Sequence, residues 1–178
     1  MIATMTGQQY RAAFAARATK DVRYYLVGIF IHAENAEVVA TDGSIMYYAS
    51  IERGDGNIEA IIFEPAKIAP SALRVTVEAF DKHNVLVKTY HRSDRATGQH
   101  ICKIIAGRYP DYQQIIPKSG QAGGPGEAFS FHTKYLALLK TIFGATPVRF
   151  TMADPNQAAL ITTAKPEQGT LLMLPCRL

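Results

Sequence analysis

Asp21 to Ser50 reads DVRYYLVGIFIHAENAEVVATDGSIMYYAS, and this stretch decides the fold. Tyr24–His32 is rich in β-branched and aromatic residues and ends at the turn-forming Ala33-Glu34-Asn35. That combination predicts a strand, because branched and aromatic side chains suit a pleated surface. Glu37–Thr41, EVVAT, predicts a second strand. Asp42-Gly43 is a tight hairpin turn, and Ile45–Ile51 runs back. The stretch is therefore expected to be a three-stranded antiparallel meander.

On the N-terminal side, Met1–Met5 reads as a short edge strand. A helix over 6–19 follows, opened by a capping box in which Thr6 and Gln9 each satisfy an orphan amide. Its alanine-rich body has high helix propensity. The apolar face Tyr10, Ala13, Phe14 is narrow, which predicts packing on one side only. Residues 1–20 hold Arg11, Arg17 and Lys20 and no acid, so this surface is either a solvated helix face or one that meets phosphates.

On the C-terminal side, 52–57 is a polar turn and Ala60–Phe63 a short strand. Glu64–Pro70 has two prolines and room for at most one helical turn. Leu73–Phe80, Asn84–His91 and His100–Ala106 read as strands, with a mobile loop over Ser93–Gln99. The prolines of Gly107–Pro117, GRYPDYQQIIP, rule out regular structure there. Residues 118–127 are a linker by composition. Ala128–His132 predicts a strand and Thr133–Phe143 a helix. Tyr135, Leu138, Leu139 and Ile142 lie on one helix face, Lys134, Ala137, Lys140 and Thr141 on the other, and Gly144 is the stop. Val148–Met152, Ala158–Thr163 and Thr170–Leu174 complete a second strand–helix–three-strand unit. The unit at 1–51 thus recurs at 128–178, around a helix-poor one at 59–106. Such repetition predicts an α+β fold of antiparallel sheets with helices gathered on one face. The expected division is 1–117 (units 1–55 and 56–117), the linker, and a third unit at 128–178 that is open to packing with 1–117 as one domain.

The chain has 178 residues, 48% apolar and 19% charged, which suits a folded core. It lacks a run of 18 apolar residues and a signal-type N-terminus, so no membrane is expected, and a cytoplasmic location with Cys102 and Cys176 as free thiols is. The net charge of +4 permits contact with nucleic acid without requiring it. The five histidines show no metal-ligand spacing, the cysteines form no C-x-x-C pair, and no phosphate-cradling glycine motif precedes a helix. Asp42 is a turn residue and Asp111 has no partner carboxylate. No enzyme, metal or cofactor is expected.

Three motifs carry a family resemblance. DVRYYLVGIFI followed by VVATDGSIMYYAS resembles the second domain of the bacterial DNA polymerase III beta subunit, the sliding clamp, where a helix leads to a RYYLNG strand and an ATDGHRLA hairpin. GRYPDYQQIIP is similar to that domain's closing segment, G-x-[FY]-P-D-Y-x-x-x-[IL]-P. The chain end, LLMLPCRL, is similar to the clamp's terminal V-M-P-M-R-L. All three come in the family's order and cover most of the chain, thinly in the middle. The departures are a missing first domain, a missing start of the third, a second-unit helix reduced to PAKIAP, the hairpin's lost His-Arg pair, Cys176 where methionine is usual, and a basic balance where clamps are acidic.

The resemblance implies a short, divergent clamp-like protein, of host or phage origin. It would be a non-catalytic accessory subunit of a DNA polymerase, a processivity factor that holds duplex DNA without reading sequence. Tyr24 and Tyr25 match two family tyrosines that touch DNA, and Lys20 matches a polar position before them. Arg11, Arg17, Lys134 and Lys140 join them from the helix faces alone. The resemblance further implies an apolar groove for peptides of polymerases and clamp loaders, lined by Leu26, Thr41, Gly43, Met46, Pro110, Ile115, Leu172, Leu174, Pro175, Cys176 and Arg177. The plainer reading of that set is core, and that of Tyr24 and Tyr25 is cross-strand packing with at least one in the core. A homo-oligomer is expected: a ring of roughly twelve units takes four chains at three units each, or six at two. The alternative is a non-ring adaptor that binds replication proteins or DNA as a monomer or dimer.

Overall fold

The computed structural model describes residues 1–55, 60–117, 129–152 and 157–176. The first unit is β1 (Ala3–Thr6), α1 (Gly7–Ala16), β2 (Ile29–His32), β3 (Glu37–Thr41) and β4 (Ile45–Ser50), with a two-strand-residue extension β5 (Glu52–Arg53). The second is β6 (Ala60–Phe63), β7 (Arg74–Ala79), β8 (Asn84–Tyr90) and β9 (Ala96–Lys103). The third is α2 (Thr133–Phe143), β10 (Val148–Thr151), β11 (Ala159–Thr163) and β12 (Thr170–Met173).

Two antiparallel sheets result, in the orders β5-β1-β7-β8-β9 and β10-β11-β12-β4-β3-β2-β6. The first two units exchange their leading strands. β1 leaves its own meander to pair with β7, and β6 leaves its own to pair with β2. The third unit joins differently: β12 adds to β4, Leu172 opposite Met46 and Leu171 opposite Tyr47, so that two meanders form one continuous sheet. Strand alternation divides the long sheet's apolar residues between two clusters. Ile29, Ile31, Val38, Ala40, Ile45 and Tyr47 face the helices, while Phe30, Val39, Met46 and Leu172 belong to a second cluster under Tyr109 and Tyr112.

The Thr6–Gln9 capping box forms as expected, with Thr6 Oγ1 accepting from the Gln9 amide at 3.1 Å and Gln9 Oε1 from the Thr6 amide at 2.8 Å. The helix is shorter than 6–19. At Arg17 the chain turns extended, and the Ala18 amide is drawn off to the carbonyls of Leu26 and Thr41. Its alanines also let it pack on more than one side: Gly7, Gln9, Tyr10, Ala12, Ala13 and Ala16 are all buried, against α2, β3, β4 and β1. Gly7 is required there, because a Cβ would lie 1.9 Å from the Ala72 carbonyl oxygen. The segment that replaces the second unit's helix runs without regular structure from 64 to 69, and it buries Ile68 and Ala72 against α1.

Five further expectations change. Tyr112–Ile115 is a turn of 3-10 helix, capped by Asp111, inside the segment whose prolines are expected to rule out regular structure. β1 is not an edge, since Thr4 pairs with both Glu52 and Thr76, and β5 occupies the expected polar turn. Tyr24–Val27 is a turn of 3-10 helix rather than strand, and the meander's first strand begins at Ile29, where β6 starts to pair. β9 starts at Ala96, inside the expected loop, after a register shift at Thr89–Tyr90. Residues 129–132 form no strand, since none lies beside them among the described residues, and His132 instead caps α2 through Nδ1 and the Lys134 amide. Residues 133–143 form the helix expected, and Gly144 stops it at a φ of 66°. The linker, 118–127, lies outside the described residues. No described helix is long and apolar enough to cross a membrane.

Candidate nucleic-acid and peptide interface

The two helices pack against each other on one side of the long sheet, and polar ties lock them across the β4–β12 junction. Gln8 Nε2 donates to the Ile142 carbonyl at 3.1 Å, and Gln9 Nε2 donates at 2.9 Å to both Ser50 and Glu167 carbonyls. Tyr47 donates to the Gln168 carbonyl at 2.7 Å, and Tyr135 to Asp42 Oδ2 at 3.0 Å. The helix layer carries Arg11, Arg17, Lys134 and Lys140, with Lys67 on the neighbouring irregular segment. None of these, nor Lys20, forms an ion pair among the described residues.

The cations differ in freedom. Arg11 is half-buried and donates to the Ala72 carbonyl at 3.0 Å, which ties the irregular segment to α1. Arg17 lies with its guanidinium 4.2 Å from the Phe14 ring centre and donates to the Ala18 carbonyl at 2.9 Å. Burial lowers the pKa of both. Together with Tyr10, Ile68 and Thr141 they line a hollow of about 360 Å³ between the helices and the irregular segment. Lys20, Lys134 and Lys140 are exposed. Lys134 sits 4.3 Å from the Tyr135 ring centre, whose hydroxyl hydrogen bond raises the lysine's pKa.

Tyr24 and Tyr25 belong elsewhere. They meet edge-on at 5.8 Å on the 3-10 turn, Tyr24 57% exposed and Tyr25 half-buried against the second cluster, on the sheet face away from the helices. Neither is a strand residue and neither is fully buried. The structure therefore does not gather the seven DNA candidates into one patch: the tyrosines sit on the other face from the helix cations.

The peptide-groove candidates divide into buried and exposed residues. Leu26, Met46 and Leu172 are buried in the second cluster. Leu172, Met46 and Thr41 form a row across β12, β4 and β3. Gly43, at a φ of 91°, lies beside exposed Leu174, whose amide donates to the Ser44 carbonyl at 2.9 Å. Pro175 is half-buried and Cys176 exposed, with its amide on the Ser130 carbonyl. Pro110 and Ile115 are exposed on the closing segment, and Arg177 lies outside the described residues. A cleft of about 620 Å³ opens to one side of this set, between β2, β6 and residues 104–113, and of the groove residues only Pro110 lines it.

Three residues of this region were not anticipated. Arg23 is clamped by Asp21, with Nε at 3.0 Å and Nη2 at 2.8 Å, and lies so close to Gly43 that a Cβ there would meet Nη2 at 2.8 Å. The hydrogen bonds from the Arg23 side chain and amide hold the Asp21 carboxyl at about 2, below the ordinary carboxylate range. A guanidinium thus stands at the hairpin that lacks the family's His-Arg pair. The Asp-x-Arg spacing, an Asx-turn with its own counter-ion, was the available sign. Tyr109 stacks on Phe30 at 4.5 Å and 7°, and Tyr112 donates to the Glu37 carboxylate beside His32 Nδ1 at 2.9 Å. Burial first, then Glu37, raises the Tyr112 pKa. Among the described residues there is no group of three His, Cys, Asp or Glu side chains placed to hold a metal.

No family model matches the chain. Individual proteins do. The beta sliding clamp of Pseudomonas aeruginosa is 22% identical over 230 aligned positions, which cover 94% of this chain and 62% of that protein. The Vibrio cholerae beta sliding clamp is 31% identical over 108 residues, 57% of this chain and 28% of that one. Among solved structures, the P. aeruginosa DNA polymerase sliding clamp covers 98% of the chain at a TM-score of 0.69 and 18% identity, with 65% of its own chain matched. The Bacillus subtilis clamp covers 100% at 0.68 and 16%, with 64% matched. The chain thus spans less than two thirds of the P. aeruginosa relative, and an alignment longer than the chain itself means that the relative carries residues missing here within the matched span. In sequence motifs and in sheet-and-helix architecture alike, the chain is a divergent, clamp-like protein similar to the beta subunit of bacterial DNA polymerase III.

Proposed function

We propose that the chain is a DNA replication factor of the sliding-clamp kind. It is a non-catalytic, cytoplasmic processivity factor that holds duplex DNA without reading sequence. The observation that carries this is the pair of packed helices on one sheet face, bearing cations with no acidic partner among the described residues. Exposed, unpaired cations attract phosphates over a range set by salt and impose no base preference. Lys20, Lys134 and Lys140 are the free contacts, and Arg11 and Arg17 add charge from fixed positions. Tyr24 and Tyr25, on the other sheet face, are a separate candidate contact with DNA.

The finer reading adds peptide capture. The Gly43 hairpin, Leu174 and Pro175 form a rim over the Leu26–Met46–Leu172 floor. Short segments of polymerases or clamp loaders with aliphatic or aromatic anchors fit such a surface, and Arg23 supplies a cation to orient them. The second reading is an adaptor that binds replication proteins or DNA as a monomer or dimer without a ring.

The test is fluorescence anisotropy on a labelled duplex of arbitrary sequence over a salt series. Binding should weaken linearly in log–log form, and removing Lys134 and Lys140 together should lower the slope by about 0.9 for each lost phosphate contact. A slope unchanged by the double substitution, or affinity that depends on sequence, would sink the reading.

A further inference from the structure

Two pairing rules run through the sheets. A unit's leading strand pairs with the first meander strand of its complement: β1 with β7, and β6 with β2. Last meander strands pair across the junction, β4 with β12. The third unit satisfies the second rule and not the first. Among the described residues its leading segment, 129–132, is in no sheet, and its first meander strand, β10, is a sheet edge.

Burial marks the same deficit. β2 and β7 are buried through their centres, whereas β10 exposes Arg149, Phe150 and Thr151, hence both of its faces. Phe150 is 43% exposed, and Phe129 and Leu136 are exposed too, with the Phe131 ring 6.0 Å from that of Phe150. An apolar edge strand of this kind is an adhesive surface unless something covers it.

We propose that the third unit of a second copy covers it, with 129–132 of each chain pairing with β10 of the other about a twofold axis. The partner is a second copy because each half of the missing interaction is present in this one unit. It offers an unpaired leading segment and an unpaired receiving edge together, which is the self-complementarity an isologous contact requires. Phe129-Ser130-Phe131-His132 alternates as a half-buried strand does. The Ser130 carbonyl is already taken by the Cys176 amide, so an extended segment would turn the Phe129 and Phe131 backbone groups towards the incoming edge. Main-chain pairing of this type is β-augmentation between copies. The other sheet ends at β9, a last meander strand. Its pairing with its own copy would join two such dimers into four chains, the number expected from three units each. The inference rests on the clamp-like unit organisation and not on DNA binding.

The experiment is light scattering of the full chain without DNA, beside Phe150→Asp and Phe129→Asp, with circular dichroism to check the fold. Wild type should be a dimer or tetramer, and each substitution should halve its mass while leaving the spectrum unchanged. Hydrogen exchange at 129–132 and 149–151 should be protected in wild type and fast in both variants. A monomeric wild type at every concentration, or a mass that neither substitution changes, would overturn the interface. A monomer that still bound duplex would leave the DNA reading standing, and an oligomer of the expected kind that bound none would leave this interface standing.

Discussion

The first and third units have the same meander and a similar helix, yet they are held in different ways. The first is interlocked with the second by two exchanged strands, so its β2 is covered along both edges and both faces. The third exchanges no strand among the described residues: it is attached by β12 on β4 and by α2 packed on α1 in a shared core. Strand exchange makes the first two units a single cooperative object, because neither sheet is complete without a strand from the other. The third unit can in principle loosen along its junction while the rest stays folded.

The largest expected effect tests the interlock. Phe63 is fully buried at the end of the exchanged strand β6, opposite Ile29. Phe63→Ala should cost about 3–5 kcal/mol, the usual range for a large aromatic cavity. Loss should appear as one cooperative transition in urea. Phe150→Ala, on the exposed edge strand of the third unit, should stay within about 0.5 kcal/mol when measured on the dissociated chain. Equal costs at the two sites would mean that the units do not differ in the way described.

The junction gives a smaller effect. Tyr47 is fully buried in β4 and donates to the Gln168 carbonyl of the third unit, and burial raises its pKa. Tyr47→Phe keeps the ring and leaves that carbonyl without its partner, a cost of about 1–3 kcal/mol. Exchange should quicken in β11 and β12 and remain slow in β7 and β8. Uniform acceleration would show that the third unit opens only with the whole molecule.

The same contrast explains what could be read from residues alone. Ala60–Phe63, Glu37–Thr41 and Thr133–Phe143 were legible to the residue, because their apolar spacing, hairpin turn and terminal glycine act locally. Failures fell where distant chain decides. Ala3–Thr6 is interior because β5 and β7 arrive on either side of it. Tyr24–Val27 has strand composition but is bent into a turn by the tie from Ala18 to Leu26. Residues 129–132 have strand composition and, among the described residues, no strand beside them. Among candidate site residues, Leu26, Met46 and Leu172 share one buried cluster, whereas the tyrosines and the helix cations separate. Which sheet face a side chain takes depends on a parity that one residue of 3-10 turn shifts. Arg23 escaped notice because its role comes from standing over a glycine some 20 residues away.

The smallest effect concerns that arginine, at the end of the junction where the first unit's hairpin meets the third unit's tail. The Arg23 side chain and amide hold the Asp21 carboxyl at about 2 against an ordinary 3.8. A depressed carboxyl contributes stability that is fully present above the ordinary value and is lost as pH falls through the folded one. The loss therefore belongs between about pH 4 and pH 2. The pair is exposed, so its contribution to global stability should be slight. Its visible consequence is local. In wild type the Asp21 side-chain carboxyl carbon resonance should hold steady from pH 5 to 3 and move only near 2, or at acid unfolding if that comes first. In Asp21→Asn the Arg23 Nε resonance should be displaced at every pH, because Arg23 has lost its clamp. A wild-type titration near 3.8 would show that Arg23 is not held by Asp21 in solution. The hairpin would then carry no fixed cation where the third unit's tail crosses it.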